Sequence, residues 1–192
     1  VLDINFFLKS AAIGIEQNEK VIFNNLFNDL LINFSFMLFY IFPFIATKVI
    51  NLENYSNIKN IFYASIIFLV CVYFFDYNYL YGGGGIIFKA SNFFFNNNYI
   101  FYIFSYISIL LLLPLLNKNN YNILIFLIVI LNNPQYTLYH KYFDPFLIIT
   151  FFTIFYFNIN LENISKNKNY IYIVAYFVVF LLISNLKYLW KI

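Results

Sequence analysis

Residues 30–47, LLINFSFMLFYIFPFIAT, decide the class of this chain. They are eighteen residues without a charge, closed by Lys48. As a helix rising about 1.5 Å per residue they extend roughly 27 Å, close to the ~30 Å of a bilayer's hydrocarbon core. The stretch reads as a membrane-spanning helix. Pro43, near its end, removes one backbone hydrogen bond and kinks the last turn, which neighbouring helices tolerate.

The composition agrees with that reading. With 63% hydrophobic and 10% charged residues over 192 positions, the chain has too few charges to cover a water-soluble globule of its size. The basic residues are all Lys, and the bias toward Lys, Asn, Ile, Phe and Tyr fits an AT-rich coding sequence better than a base-stacking surface. The net charge of +3 is spread over single lysines between apolar runs, so no basic stripe follows a phosphate backbone and nucleic acid is not an expected partner. The single cysteine, Cys71, lies within an apolar run, which excludes an intramolecular disulfide and a cysteine metal cluster. The chain opens on Val1 with no positively charged leader before an apolar core, so no signal peptide is identified and a piece of a longer polytopic chain is expected.

Further apolar runs lie on both sides of 30–47. Upstream, residues 1–29 contain Asp3, Lys9, Glu16, Glu19, Lys20 and Asp29 with no charge-free window of spanning length. Loosely helical apolar spacing over 13–30 predicts an amphipathic helix at the interface, or the loop end of a preceding domain. Downstream, 61–75 is charge-free and reaches spanning length only with Asn57 and Ile58 included. Residues 99–116 form a full-length run with Pro114 in its last turn, and a polar turn, 117–120, leads into 121–131. That run is short for a crossing and reads as re-entrant or mismatched. Residues 145–157 and 170–186 complete the set, the latter followed by an aromatic and basic edge of Lys187, Tyr188, Trp190 and Lys191. The predicted fold is an all-α polytopic transmembrane helix bundle with five or six spanning helices. An interfacial segment, 1–29, precedes a transmembrane domain, 30–192.

Lysine counts leave the orientation open. If every run crosses, one side carries five lysines and the other six. Loop length and acidic content favour placing the glycine loop and the segment 132–145 outside the cytoplasm.

The chemistry-bearing residues gather at the ends of runs. Residues 132–145, NNPQYTLYHKYFDP, hold the only His, His140, with Lys141 and Asp144, and the connection 76–98 begins at Asp76. A partly desolvated carboxylate or imidazole there serves as a general base or holds a cation; the plainer reading is that such charges mark the membrane boundary. Paired carboxylates for glycoside chemistry would have to be Asp76 and Asp144. The connection also carries Gly82, Gly83, Gly84 and Gly85. These suit either a mobile loop closing its backbone NH groups on a ligand phosphate or, more plainly, a flexible tether beside an interfacial Phe93-Phe94-Phe95 patch. No Lys-Ser/Thr follows them, so the phosphate-loop pattern is absent. A single His rules out a His-rich metal site, no metal ligands are identified, and no HExxH, nucleophile-elbow or CxxC pattern occurs. The apolar runs as delimited contain no charge, which weighs against an ion or proton pathway.

Lys141-Tyr142-Phe143-Asp144-Pro145, followed by apolar 146–157 and preceded by the polar entry Tyr136-Thr137-Leu138-Tyr139-His140, resembles a late segment of the GT-C superfamily, multi-span glycosyltransferases that use lipid-phosphate sugar donors. In those enzymes a basic residue and an aromatic, followed shortly by Pro, open a late membrane helix. The resemblance covers about fifteen to twenty-five residues. It implies the C-terminal membrane half of an enzyme that transfers a sugar from a polyprenyl-phosphate carrier on the non-cytoplasmic face. The localisation implied is the inner or plasma membrane of a bacterium or an endomembrane. The donor phosphate would fall to Lys141 and His140, with Gly82, Gly83, Gly84 and Gly85 as further phosphate-binding candidates and Asp76 and Asp144 as catalytic candidates. Membrane lipid and the lipid-linked sugar are the expected partners, and the polyprenyl-phosphate sugar is the only cofactor-like molecule implied. Lys141 stands where Arg is usual, losing bidentate phosphate recognition. The family's acidic residue in the first external loop has no clear match. Rival readings are a small-solute or lipid transporter and a non-catalytic membrane scaffold subunit.

Overall fold

No Gly occurs between Glu19 and Ala46, and the only Pro is Pro43. In the computed structural model this stretch is one helix, α1 (Glu19–Ala46). The structure describes residues 19–51, 57–77, 83–131, 149–150, 153–156, 160 and 162–189, and for 19–24, 131, 167 and 183–189 the backbone alone. The remaining elements are α2 (Ile58–Tyr73), α3 (Gly85–Phe95), α4 (Tyr99–Asn117), α5 (Asn120–Leu131), the single turn α6 (Glu162–Ser165), a 3-10 turn (Lys166–Lys168) and α7 (Asn169–Leu189). The fold is all-α, with no strand among the described residues.

Residue 29, the predicted end of the interfacial segment, lies inside α1, which runs through it unbroken. A charge marks a membrane edge only when it meets water, and here Asp29 is buried by packing. The connection 76–98 was predicted to be irregular, yet α3 occupies Gly85–Phe95. Its sequence after the glycines contains no helix breaker, and Phe88 and Ser91 are buried. Phe93, Phe94 and Phe95 are exposed, as the interfacial patch requires.

Asparagine side chains begin three of the helices. Asn57, Asn97 and Asn119 accept hydrogen bonds from the backbone NH of Lys59, Tyr99 and Tyr121 at 3.1, 3.1 and 3.0 Å. Each satisfies a donor that the first helical turn leaves over. Asn96 ends α3 in the left-handed region at φ 51°, a conformation Asn adopts more readily than most residues.

The chain divides into two compact units, residues 1–39 with 53–156, and residues 40–52 with 157–192. In the first, α4 packs against α2, α3 and α5. Phe75, Tyr77, Phe88 and Phe101 form an aromatic cluster; Phe88 meets Phe101 edge-on at 5.2 Å and Tyr77 meets Phe88 at 5.3 Å, the geometry ring quadrupoles prefer. Ser65 and Tyr106 hydroxyls lie 3.2 Å apart between α2 and α4. Fully buried Asn122 donates to the carbonyls of Leu115 and Tyr156 at 2.9 and 3.1 Å and accepts from the Tyr156 NH at 2.8 Å. This polar group in an apolar run is therefore satisfied, as its burial demands.

In the second unit, asparagines close the end of α1. Asn163 Nδ2 donates to the Lys48 carbonyl at 2.7 Å, and Asn169 Nδ2 donates to the Thr47 and Asn163 carbonyls at 3.3 and 2.6 Å. These donors replace the NH groups that a continuing helix would offer. Phe42 and Tyr176 rings meet at 6.1 Å.

Two stretches are long and apolar enough to cross a membrane, Asn25–Ala46 of α1 and Tyr99–Asn117, which is α4. At 16 and 12 residues, α2 and α5 are shorter than the ~20 residues a perpendicular span needs.

Candidate functional site

Asn28 of α1 and Asp76, just beyond α2, bring polar groups together in the first unit. Asn28 is buried, and its side chain makes a double contact with Asp76 just beyond α2. Its Nδ2 donates to Asp76 Oδ1 at 2.7 Å, and its Oδ1 accepts from the Asp76 backbone NH at 3.1 Å. Phe27 stacks on Phe74 at 4.9 Å beside this contact. The candidate Asp76 is thus an exposed carboxylate held in orientation by a buried amide.

The described glycines sit against the same helix. Gly83, Gly84 and Gly85 are buried and have φ of 71°, 72° and 83°, in the left-handed region, where a side chain is strained. A Cβ on Gly85 would run into the Phe36 ring of α1, and one on Gly84 would lie 2.5 Å from Phe88 Cδ1 and 3.0 Å from Tyr77 Cε1. Backbone handedness and close packing together require glycine at these two positions. Gly84 is also the N-cap of α3, so no side-chain oxygen occupies that cap. The turn is ordered and wedged against α1 and Tyr77, where the sequence reading favoured a flexible tether.

Asp76 is thus linked to the glycine turn through Tyr77, which packs on Gly84, and through α1, whose Asn28 holds Asp76 and whose Phe36 abuts Gly85. Gly82, His140, Lys141 and Asp144 lie outside the described residues, so no geometry connects them to Asp76. Among the described residues, no three His, Cys, Asp or Glu side chains come together in a way that could hold a metal ion.

The structure adds residues that the sequence reading passed over. Asp29 is 5% exposed and Asn33 is 0% exposed. Both polar atoms of the Asn33 side chain lack a hydrogen-bond partner among the described residues. Spaced i, i+4, Asp29 and Asn33 lie on one helix face. Phe36, at i+7 from Asp29, shares that face and abuts Gly85. The available sign was the polar triplet Asn28, Asp29 and Asn33 at helical spacing where an apolar run opens. A membrane edge drawn after Asp29 separates Asn28 and Asp29 from Asn33, which falls inside the spanning run.

Comparison with protein-family models, with curated proteins and with solved structures finds no match.

Proposed function

We propose that the chain belongs to an integral membrane protein with five or six membrane helices, and that it forms the C-terminal membrane half of a glycosyltransferase. The enzyme would transfer a sugar from a polyprenyl-phosphate carrier at the non-cytoplasmic face. The membrane part of the reading is supported by the exposed apolar side chains of α2 and of Tyr170 to Leu182 in α7, and by two stretches long and apolar enough to cross a membrane. Helices too short to span upright are accommodated by bilayer thinning or protein-lined cavities.

The observation that carries the enzymatic part is the link between Asp76 and the glycine turn through Tyr77 and α1. Asp76 offers a carboxylate near the end of a membrane helix, and the neighbouring Tyr77 packs against the glycine turn at Gly84. Lys141 and His140 supply the donor-phosphate charge in this reading. The test is sugar transfer by the intact protein in membranes. Asp76→Asn keeps an oxygen for the Asn28 amide to donate to and removes the charge, so expression is retained and transfer falls at least about a hundredfold if Asp76 is the base. Lys141→Ala abolishes transfer with insertion intact. Wild-type transfer in both variants would end this reading.

A second reading, a solute transporter, is favoured by the buried carboxylate of Asp29 in a stretch long and apolar enough to span. Ionisable groups inside membrane helices mark ion and substrate pathways. Solute uptake by reconstituted vesicles, lost in Asp29→Asn and kept in Asp76→Asn, would select it over the enzyme.

A further inference from the structure

The end of α1 and the start of α7 meet in the second unit, and lysines gather where they meet. Asn163 Nδ2 donates to the Lys48 carbonyl at 2.7 Å, and Asn169 Nδ2 donates to the Thr47 carbonyl at 3.3 Å. Lys168 precedes Asn169, about 3.8 Å away along the chain, so the two asparagines draw Lys48 and Lys168 to one junction. Both lysines are exposed. Glu162 is occupied by Lys166 at 3.2 Å, and no carboxylate among the described residues pairs with Lys48 or Lys168.

Both lysines also have left-handed backbone, at φ 56° and 57°, a conformation costly to side chains other than Asn and Asp. At the remaining non-glycine position of this kind among the described residues the chain uses Asn96. Residues held in such conformations concentrate at functional sites. Lys48 lies just beyond Asn25–Ala46, a stretch long and apolar enough to span, which places this positive charge where a span leaves hydrocarbon. Beside the lysines the surface turns apolar. The Phe42 and Tyr176 rings meet at 6.1 Å, Tyr176 standing roughly two helical turns, about 11 Å, beyond Lys168. Phe42 is exposed, as are Tyr170, Tyr172 and Val174 between Lys168 and Tyr176.

We propose that Lys48 and Lys168 bind the phosphate of one anionic phospholipid, whose acyl chains lie along Phe42 and the exposed first turns of α7. Charge and hydrocarbon are separated along a phospholipid as lysine and apolar side chains are separated here, whereas a soluble phosphate would leave the apolar part uncovered. Long lysine stems let both ammonium groups reach the phosphate while their methylenes stay on the apolar surface. Tyr170 and Tyr172 suit the same depth, because amphipathic rings gather at the headgroup level. The site rests on the membrane part of the reading above and not on sugar transfer, since it uses neither Asp76 nor the glycine turn.

The experiment is thermal unfolding of the intact protein in neutral detergent micelles, titrated with dioleoyl phosphatidylglycerol or with dioleoyl phosphatidylcholine. Each lysine near a membrane surface favours an anionic lipid by about fivefold. Phosphatidylglycerol is therefore expected to raise the midpoint at a micellar fraction roughly thirtyfold below that of phosphatidylcholine. The preference shrinks to about fivefold in Lys48→Asn or Lys168→Asn and vanishes in the double variant. Asparagine accepts the left-handed backbone, so these variants keep the wild-type midpoint in detergent alone, which separates loss of the site from loss of the fold. Lys118→Asn, at an exposed lysine of the first unit, keeps the full preference. Soluble glycerol phosphate gives no rise. Equal action of the two lipids on the wild-type protein overturns the proposal, as does a full preference in the double variant or a rise with glycerol phosphate that matches phosphatidylglycerol. Protein that stays monodisperse without detergent would instead end the membrane reading, and the site with it.

Discussion

From Leu31 to Phe39 every side chain of α1 is buried, whereas in α2 only Ala64 and Cys71 are. Phe62, Tyr63, Ile66, Leu69 and Tyr73 of α2 stand exposed. Neither 31–39 of α1 nor 61–73 of α2 contains a charged residue, so the difference lies in what packs on them. Phe34 of α1 meets Phe126 of α5 at 4.7 Å, and Phe36 meets Gly85 at the start of α3, while the outer faces of α2 meet nothing among the described residues. A helix enclosed by protein can hold polar side chains that a helix facing lipid cannot. This is why Asn28, Asp29, Asn33 and Ser35 fall on α1, and why the polar groups of α2 are Ser65, bonded to the Ile61 carbonyl and near the Tyr106 hydroxyl, and residues at its start.

That contrast can be broken by substitution. The largest effect is expected at Gly85→Ala, which adds a Cβ into the Phe36 ring at a φ of 83°. It should destabilise by roughly 2–4 kcal/mol, read as a lower melting midpoint or loss of folded protein. Retained stability would mean that α1 and the start of α3 are not in contact. Next comes Ile66→Lys, at the middle of α2 on an exposed face. If lipid covers that face, the substitution costs about 3 kcal/mol of insertion and reduces the membrane-integrated fraction; unchanged insertion would show that water or another chain covers it.

A smaller effect is expected at Asn122→Leu, which strands the Tyr156 NH and removes two donated hydrogen bonds. Hydrogen bonds within membrane helices contribute about 0.6 kcal/mol each on average, so a loss of about 2 kcal/mol separates a satisfied buried amide from Asn33, whose removal should stabilise. If the two substitutions have the same sign, the distinction between them fails. Val178→Ala, on an exposed stretch of α7, should change the midpoint by less than about 0.5 kcal/mol, and a large loss there would place protein against that face.

Much of this was readable from residue order. The run at 99–116 corresponds to α4 within one residue at its C-terminal end, and the run at 121–131 corresponds to α5, Asn120–Leu131. The breaks are local chemistry: Asn119 stops one helix and starts the next by accepting its own chain's NH two residues on. Asp29 and the glycines before α3 are harder to place, because charge and glycine usually mark solvent and disorder. Both rules assume an isolated segment. Asp29 is buried because neighbours close over it, and the glycines are ordered because Phe36, Phe88 and Tyr77 leave room for nothing larger.

Hydropathy and helix-stop chemistry belong to each residue and its near neighbours along the chain, so the amino-acid order alone determined that this protein is helical, oily and short of charge. Which helix is enclosed, which amide finds a partner and which is left orphaned depend on residues distant in sequence meeting in space. Asn28 with Asp76 and Phe36 with Gly85 are separated by about fifty positions each. A pattern that records each side chain's own preference carries no record of such a meeting, and only the packed helices decided it.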